Sequence, residues 1–144
     1  MDKLPPDYVE EFRQNRCDLF YLGKTQRSLS QRVAEEHRTN SRPSTFFRSV
    51  GALLGYLPMK GSISASSANN NYRFSVADTQ AITKWLDQNV TITFIEASAD
   101  KLRQHEESLI THFRPLLNQT HNPACSQLLK LARKACIEHA KLQA

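Results

Sequence analysis

The chain alternates between stretches whose apolar residues recur every second position and stretches where they recur at helical spacing. Cys17–Leu22 (CDLFYL) is apolar and aromatic-rich and stops at Gly23, the pattern of a short buried strand running into a tight turn. Ser28 then supplies an N-cap for a helix reaching Arg38, with Leu29 and Val33 one turn apart on one face. After the turn NSRPS, Ser44 or Thr45 caps TFFRSVGALLGYL, in which Phe46, Val50, Leu53, Leu54 and Leu57 form an apolar stripe that Pro58 ends. A short YRF run precedes Ser75, which stands three residues before Asp78 in the manner of a capping box and opens a helix to Gln88 anchored by Ile82, Trp85 and Leu86. Val90–Ala97 (VTITFIEA) is β-branched with period-two character and predicts a strand. Ser98 or Asp100 caps the next helix, which runs to Phe113 and stops before Pro115.

These elements predict an α/β fold, a small mixed or antiparallel three-stranded sheet flanked by helices. Beyond Pro123 the tail carries Leu128, Leu131, Ala132, Ala135 and Leu142 on one face and Lys130, Arg133, Lys134 and Lys141 elsewhere, an additional amphipathic basic helix. The boundaries that follow are residues 1–122 for the main unit and 123–144 for a C-terminal helix packed on the same domain. Residues 60–71, rich in Ser and Asn and poor in apolar side chains, are expected to form a mobile loop.

Composition narrows the class. At 144 residues with 4 Gly and 6 Pro, a hydrophobic core can form without disulfide or metal staples, and full disorder is excluded. The net charge of +5 is unevenly placed: residues 1–12 sum to −3, 13–60 to +6, 61–100 to −2 and 101–144 to +4. Two basic blocks that converged in the fold would make a positive face for a polyanion, whereas dispersed Lys and Arg would only solvate helix surfaces. Three cysteines, an acidic Pro-broken opening and no apolar run long enough for a membrane span point to a cytoplasmic protein with reduced thiols.

One carboxylate is out of place. On a helical wheel at about 100° per residue with Leu102 at zero, Leu109 falls near −20°, Phe113 near 20° and Ile110 near 80°, while Glu106 falls near 40°, inside the apolar arc. Glu107 falls near 140°, on the solvent side. A carboxylate in that position needs a cation or donors, so metal ligation, a catalytic role, or a structural ion pair to Arg32 or Lys24 are the alternatives.

With Tyr21-Leu22-Gly23-Lys24 at a strand end, the chain resembles the GIY-YIG nuclease superfamily. YLGK stands where that family has YIGK, Leu29 and Arg32 in SLSQRV match its L-x-x-R helix start, and Glu106–Asn118 (EESLITHFRPLLN) matches its E-x-x-L-I followed by R-P-x-x-N. The resemblance spans Asp18 to Asn118. It implies a GIY-YIG-like fold and metal-dependent hydrolysis of phosphodiester bonds, in DNA above RNA, with Glu106 as the single ligand of Mg²⁺ or Mn²⁺. Arg32 would meet the scissile phosphate, Tyr21 would orient or deprotonate the attacking water, and Lys24 would add positive potential. STFFRSVGALLG is similar to an insert of one branch of the superfamily, and its Arg48 would contact the nucleic-acid backbone. Two departures accompany the match: no Gly-Ile-Tyr strand precedes YLGK, leaving Tyr8, with twelve residues between it and Tyr21, as the candidate first-motif tyrosine, and His37 follows Glu36 where members carry His or Tyr. A degenerate member that binds nucleic acid or a protein without cutting is the alternative function. A zinc module of His121, Cys125, Cys136 and His139 is a further, weaker one, since the spacing lacks a paired-cysteine knuckle. A monomer with a protein partner supplying specificity is expected.

Overall fold

The computed structural model describes residues 4–14, 19–37, 44–64, 67 and 70–143, with the backbone alone at residues 12 and 35–37. Among these residues it contains six helices: α1 (Pro6–Gln14), α2 (Leu29–His37), α3 (Thr45–Leu53), α4 (Val76–Asn89), α5 (Leu102–Phe113) and α6 (Gln127–Lys141). None of the helices is long and apolar enough to cross a membrane.

The expected three-stranded sheet is absent from the described residues, and the fold class is helical. Tyr8, the candidate first-motif tyrosine, lies not on a strand but on α1, which has the ingredients of a helix start: Pro6 in the first position, where its missing N–H costs nothing, and Asp7 against the positive end of the dipole. Arg13 complements the other end. At 90–97 the alternating pattern is present but no ladder is, and Ile92, Phe94 and Ile95 are 45%, 67% and 78% exposed. Alternation specifies two faces; a strand also needs a neighbouring main chain to bond, and residues 91–97 have none among the described residues. Residues 19–22 do find a main-chain partner, described below, although Cys17 and Asp18 lie outside the described residues.

Local signals placed the helices. Ser44 accepts from the Phe47 N–H at 3.0 Å to open α3, and Ser75 accepts from the Asp78 N–H at 3.0 Å while donating to Asp78 Oδ2 at 2.7 Å to open α4. The α2 start likewise has Ser28 Oγ accepting from the Gln31 N–H at 3.3 Å. Neither Ser98 nor Asp100 caps α5: its N-terminus is Lys101, with no side-chain cap bond.

The core is organised around α3, in which every residue from Phe46 to Leu53 is buried. Helices α2, α4 and α6 all pack against it, with α6 contributing Leu129, Cys136 and Ala140 and α4 contributing Ile82 and Leu86. Phe47, Val50, Leu53, Ile82, Leu86 and Leu129 are at most 1% exposed, and such side chains contribute roughly 1.5–3 kcal/mol each. Ser126 joins both ends of this layer: its hydroxyl accepts from the Leu129 N–H to cap α6 and donates to Glu11 of α1 at 2.6 Å.

The first residues of the loop bond to the end of α6. Gly61 N–H donates to Leu142 O at 2.8 Å and Ile63 N–H to Ala140 O at 3.3 Å, and Ile63 is buried. The last carbonyls of a helix have no intrahelical donors, so a small-residue segment whose backbone can approach closely supplies them.

Gly51 is fixed by contact. A Cβ there would lie 2.3 Å from Phe74 Cζ and 3.0 Å from Ile82 Cδ1, deep among fully packed groups. Gly51→Ala should lower stability by about 1–3 kcal/mol through overpacking, partly offset by about 0.5–1 kcal/mol of improved helix propensity. Urea unfolding checks this: the midpoint should fall with an unchanged slope, and a variant at least as stable as the wild type would contradict the packing.

Candidate active site

The segment 19–24 is held from outside rather than by its own secondary structure. Leu117 N–H donates to Phe20 O at 3.0 Å and Leu116 N–H to Leu19 O at 3.4 Å. Asn118 then bonds both main-chain groups of Leu22: its Oδ1 accepts from the Leu22 N–H at 2.9 Å and its Nδ2 donates to Leu22 O at 2.8 Å. Asn118 is 9% exposed, so these bonds are shielded from competing water. On the other side, the ring of Phe20 packs 6.5 Å from Phe46 and 5.9 Å from Trp85, and Tyr21 packs 4.8 Å from Phe46. Segment 19–22 is thereby clamped between the start of the segment following α5 and the core helix α3.

Tyr21 folds back over the next turn. A Cβ on Gly23 would lie 2.9 Å from Tyr21 Cε1 and 3.1 Å from its hydroxyl, so a side chain there would push the tyrosine ring aside. One residue later Lys24 reaches α5, where its Nζ lies 2.9 Å from Glu106 Oε2. The Glu106 side chain is 20% exposed and that of Lys24 36%. Of the alternatives open for a carboxylate inside an apolar arc, the ion pair to Lys24 is the one present. The arc itself is only partly covered: Ile110 is buried, whereas Phe113 is 44% exposed.

Glu107 has different partners. Arg103 Nε donates to its Oε1 at 2.8 Å, and His121 Nε2 lies 3.5 Å from the same oxygen. The hydrogen bond from Arg103 holds the Glu107 carboxyl below its ordinary range, with His121 and Lys24 adding in the same direction. Two adjacent carboxylates therefore carry three basic neighbours within one turn of α5 and its surroundings.

The remaining expected residues are distributed as follows. Arg32 is half-buried on α2, which packs on α3. Tyr8 is buried in the core on α1, and burial, with Glu11, Asp7 and Cys136 adding to it, pushes its hydroxyl up, the direction opposite to that of a phenol poised as a base. Arg48 is 7% exposed, its guanidinium 5.7 Å over the Tyr72 ring and its Nη2 donating to Thr45 Oγ1 at 3.2 Å. Burial lowers its pKa, and Tyr72 returns a hydrogen bond to Arg48 O at 3.2 Å. Arg48 thus has a place in the core beside Tyr72. The side chain of His37 lies outside the described residues.

The cysteine and histidine set of the C-terminal region does not converge on a zinc site among the described residues, where no group of three or more His, Cys, Asp or Glu is arranged to hold a metal. Cys136 is 2% exposed and its Sγ donates to Tyr56 O at 3.5 Å, and burial pushes the thiol up, away from the thiolate a zinc ligand must be. A hydrated magnesium ion makes a smaller demand, one or two hard carboxylate oxygens with water completing the shell, and the Glu106 carboxylate, one-fifth exposed and already holding a cation, meets it.

Asn118 is the positioning residue that reading for chemistry passed over. Its signal was present as the final position of R-P-x-x-N, but a helix wheel or a charge count cannot show that its amide closes on Leu22, 96 positions earlier. Asn118→Ala should leave both Leu22 groups without partners and destabilise the fold by about 1–3 kcal/mol. Asn118→Asp keeps the acceptor but sets a carboxylate oxygen against Leu22 O, two acceptors with no proton between them, so it should be no more stable than Asn118→Ala in urea unfolding; equal stability of all three proteins would remove the clamp from the account.

A family model described as the GIY-YIG catalytic domain matches residues 2–135. No curated protein and no solved structure matches the chain.

Proposed function

The chain belongs to the GIY-YIG catalytic-domain family, a nuclease family, and from that membership we propose that it hydrolyses phosphodiester bonds of DNA at the site built around Glu106. The observation that carries this reading is the meeting of two distant motifs: Lys24, at the end of YLGK, lies 2.9 Å from the Glu106 carboxylate of E-x-x-L-I. A divalent cation, Mg²⁺ or Mn²⁺, bound at Glu106 would supply Lewis-acid charge relief at the phosphate.

The chain's own groups divide the remaining work. Arg32 is assigned to the scissile phosphate, where a planar guanidinium suits two phosphate oxygens at once. Tyr21, whose ring is fixed against Phe46 and over Gly23, is assigned to orienting the attacking water. Lys24 adds positive charge beside the reacting phosphate. The +6 carried by residues 13–60 then steers the polyanion toward this face, even with Arg48 placed in the core.

A second reading, a member that binds nucleic acid without cutting it, is favoured by one observation: α1 stands where the first family strand would be, and Tyr8 on it is buried. Plasmid nicking separates the two. The wild type should nick supercoiled DNA with Mg²⁺ or Mn²⁺ and not with a chelator, and Glu106→Ala and Arg32→Ala should each lose about 100-fold or more in rate. Wild-type cleavage no greater than that of Glu106→Ala with either ion would leave the binding reading standing.

A further inference from the structure

The two neighbouring carboxylates of α5 are neutralised in different ways. Glu107 takes its direct ion-pair partners from its own helix and the segment beyond it, with an Arg103 side chain that is 80% exposed, and feels Lys24 only as a minor further charge. Glu106 takes its partner from a segment about 80 positions away, and that partner is not free to wander: Lys24 follows Leu22, whose N–H and C=O are both held by Asn118. The fold therefore delivers an ammonium group to the carboxylate proposed to hold a divalent cation.

We propose that Lys24 is a resident counter-ion of Glu106, which leaves the carboxylate when a divalent cation binds and is thereby freed for a phosphate of the substrate. This rests on the reading of Glu106 as the metal-binding carboxylate. The ammonium lies 2.9 Å from Oε2 of the carboxylate, and two positive groups on one carboxylate repel. The exchange is within reach because a partly exposed ion pair is weak. A lysine suits the role: its single charge on a flexible four-carbon stem can swing from one anion to another, which a bidentate guanidinium fork does less readily. Metal and nucleic acid would then help one another bind, since each takes one end of the exchange, and such coupling is reciprocal.

The test uses the full chain without substrate and reads Mn²⁺ binding by the electron paramagnetic resonance signal of the free ion. Lys24→Met should bind Mn²⁺ about threefold or more tightly than the wild type, and Lys24→Arg, which keeps the charge, should stay within about twofold of it. Glu106→Gln should lose the site whether it is made alone or combined with Lys24→Met. Mn²⁺ should also strengthen binding of a non-cleavable phosphorothioate duplex by the wild type more than by Lys24→Met. If Glu106→Gln abolishes Mn²⁺ binding but Lys24→Met binds no more tightly than the wild type, the counter-ion proposal is overturned and the metal reading stands. If Glu106→Gln binds Mn²⁺ as well as the wild type, the metal reading fails, and the proposal with it.

Discussion

A single amide, Asn118, ties the site to the fold, because it satisfies the N–H and the C=O of Leu22 together as a neighbouring strand would. Each bond is worth only about 1 kcal/mol net, but leaving a buried main-chain group unpaired costs about 1–3 kcal/mol, and this asymmetry makes the clamp decisive. Tyr21 precedes Leu22, and Gly23 and Lys24 follow it, so the aromatic ring, the open turn and the ammonium all take their positions from that amide. Asn118 is secured in turn by Asn122, whose Nδ2 donates to Pro115 O at 2.8 Å and to Asn118 O at 2.9 Å, and whose Oδ1 accepts from the Ala124 N–H. The connection between α5 and α6 is thus built from side chains bonding main chain, which lets an irregular segment be buried without secondary structure of its own.

The α3–α6 layer supplies rigidity from the other side. Phe46, near the start of α3, is buried in the core and carries both Phe20 and Tyr21 on its ring, so the packing that stabilises the domain also fixes the orientation of the tyrosine beside Lys24. Gly51 lets Phe74 approach α3 closely, and Tyr72 bonds the carbonyl of Arg48 from the same segment. Stability and site geometry are consequently coupled through α3, whereas the exposed run 91–96 touches neither.

What could be read from the sequence was what local chemistry decides. The caps at Ser28, Ser44 and Ser75 and the stripe through Phe46, Val50 and Leu53 depend on neighbours a few residues away, and all are present. The sheet was not legible, because period-two alternation at 90–97 states which face each side chain would take but not whether another main chain lies alongside. Arg48 counts toward a basic block in any charge tally, yet its destination is set by Tyr72, 24 positions later. The segment from residue 60 reads as loose by its side chains and is attached by its N–H groups, which a composition cannot register. At the site, the wheel set Glu106 inside the apolar arc and Glu107 outside it, whereas both side chains are partly exposed, 20% and 33%; the motif spacing brought Lys24 and Glu106 into one reading, and the amide that joins their two segments emerged only in three dimensions.

The helical first element bears directly on how the chemistry would be shared. A tyrosine serving as a base must reach its phenolate form, and Tyr8 is pushed the other way by burial and by the acidic side chains of its own helix. Tyr21 stands in a different setting, half-buried at the edge of the core and packed against Phe46. In the exchange proposed for Lys24, charge relief would depend on one lysine's choice of partner, on a segment whose position is set by Asn118 and Phe46 rather than by a sheet.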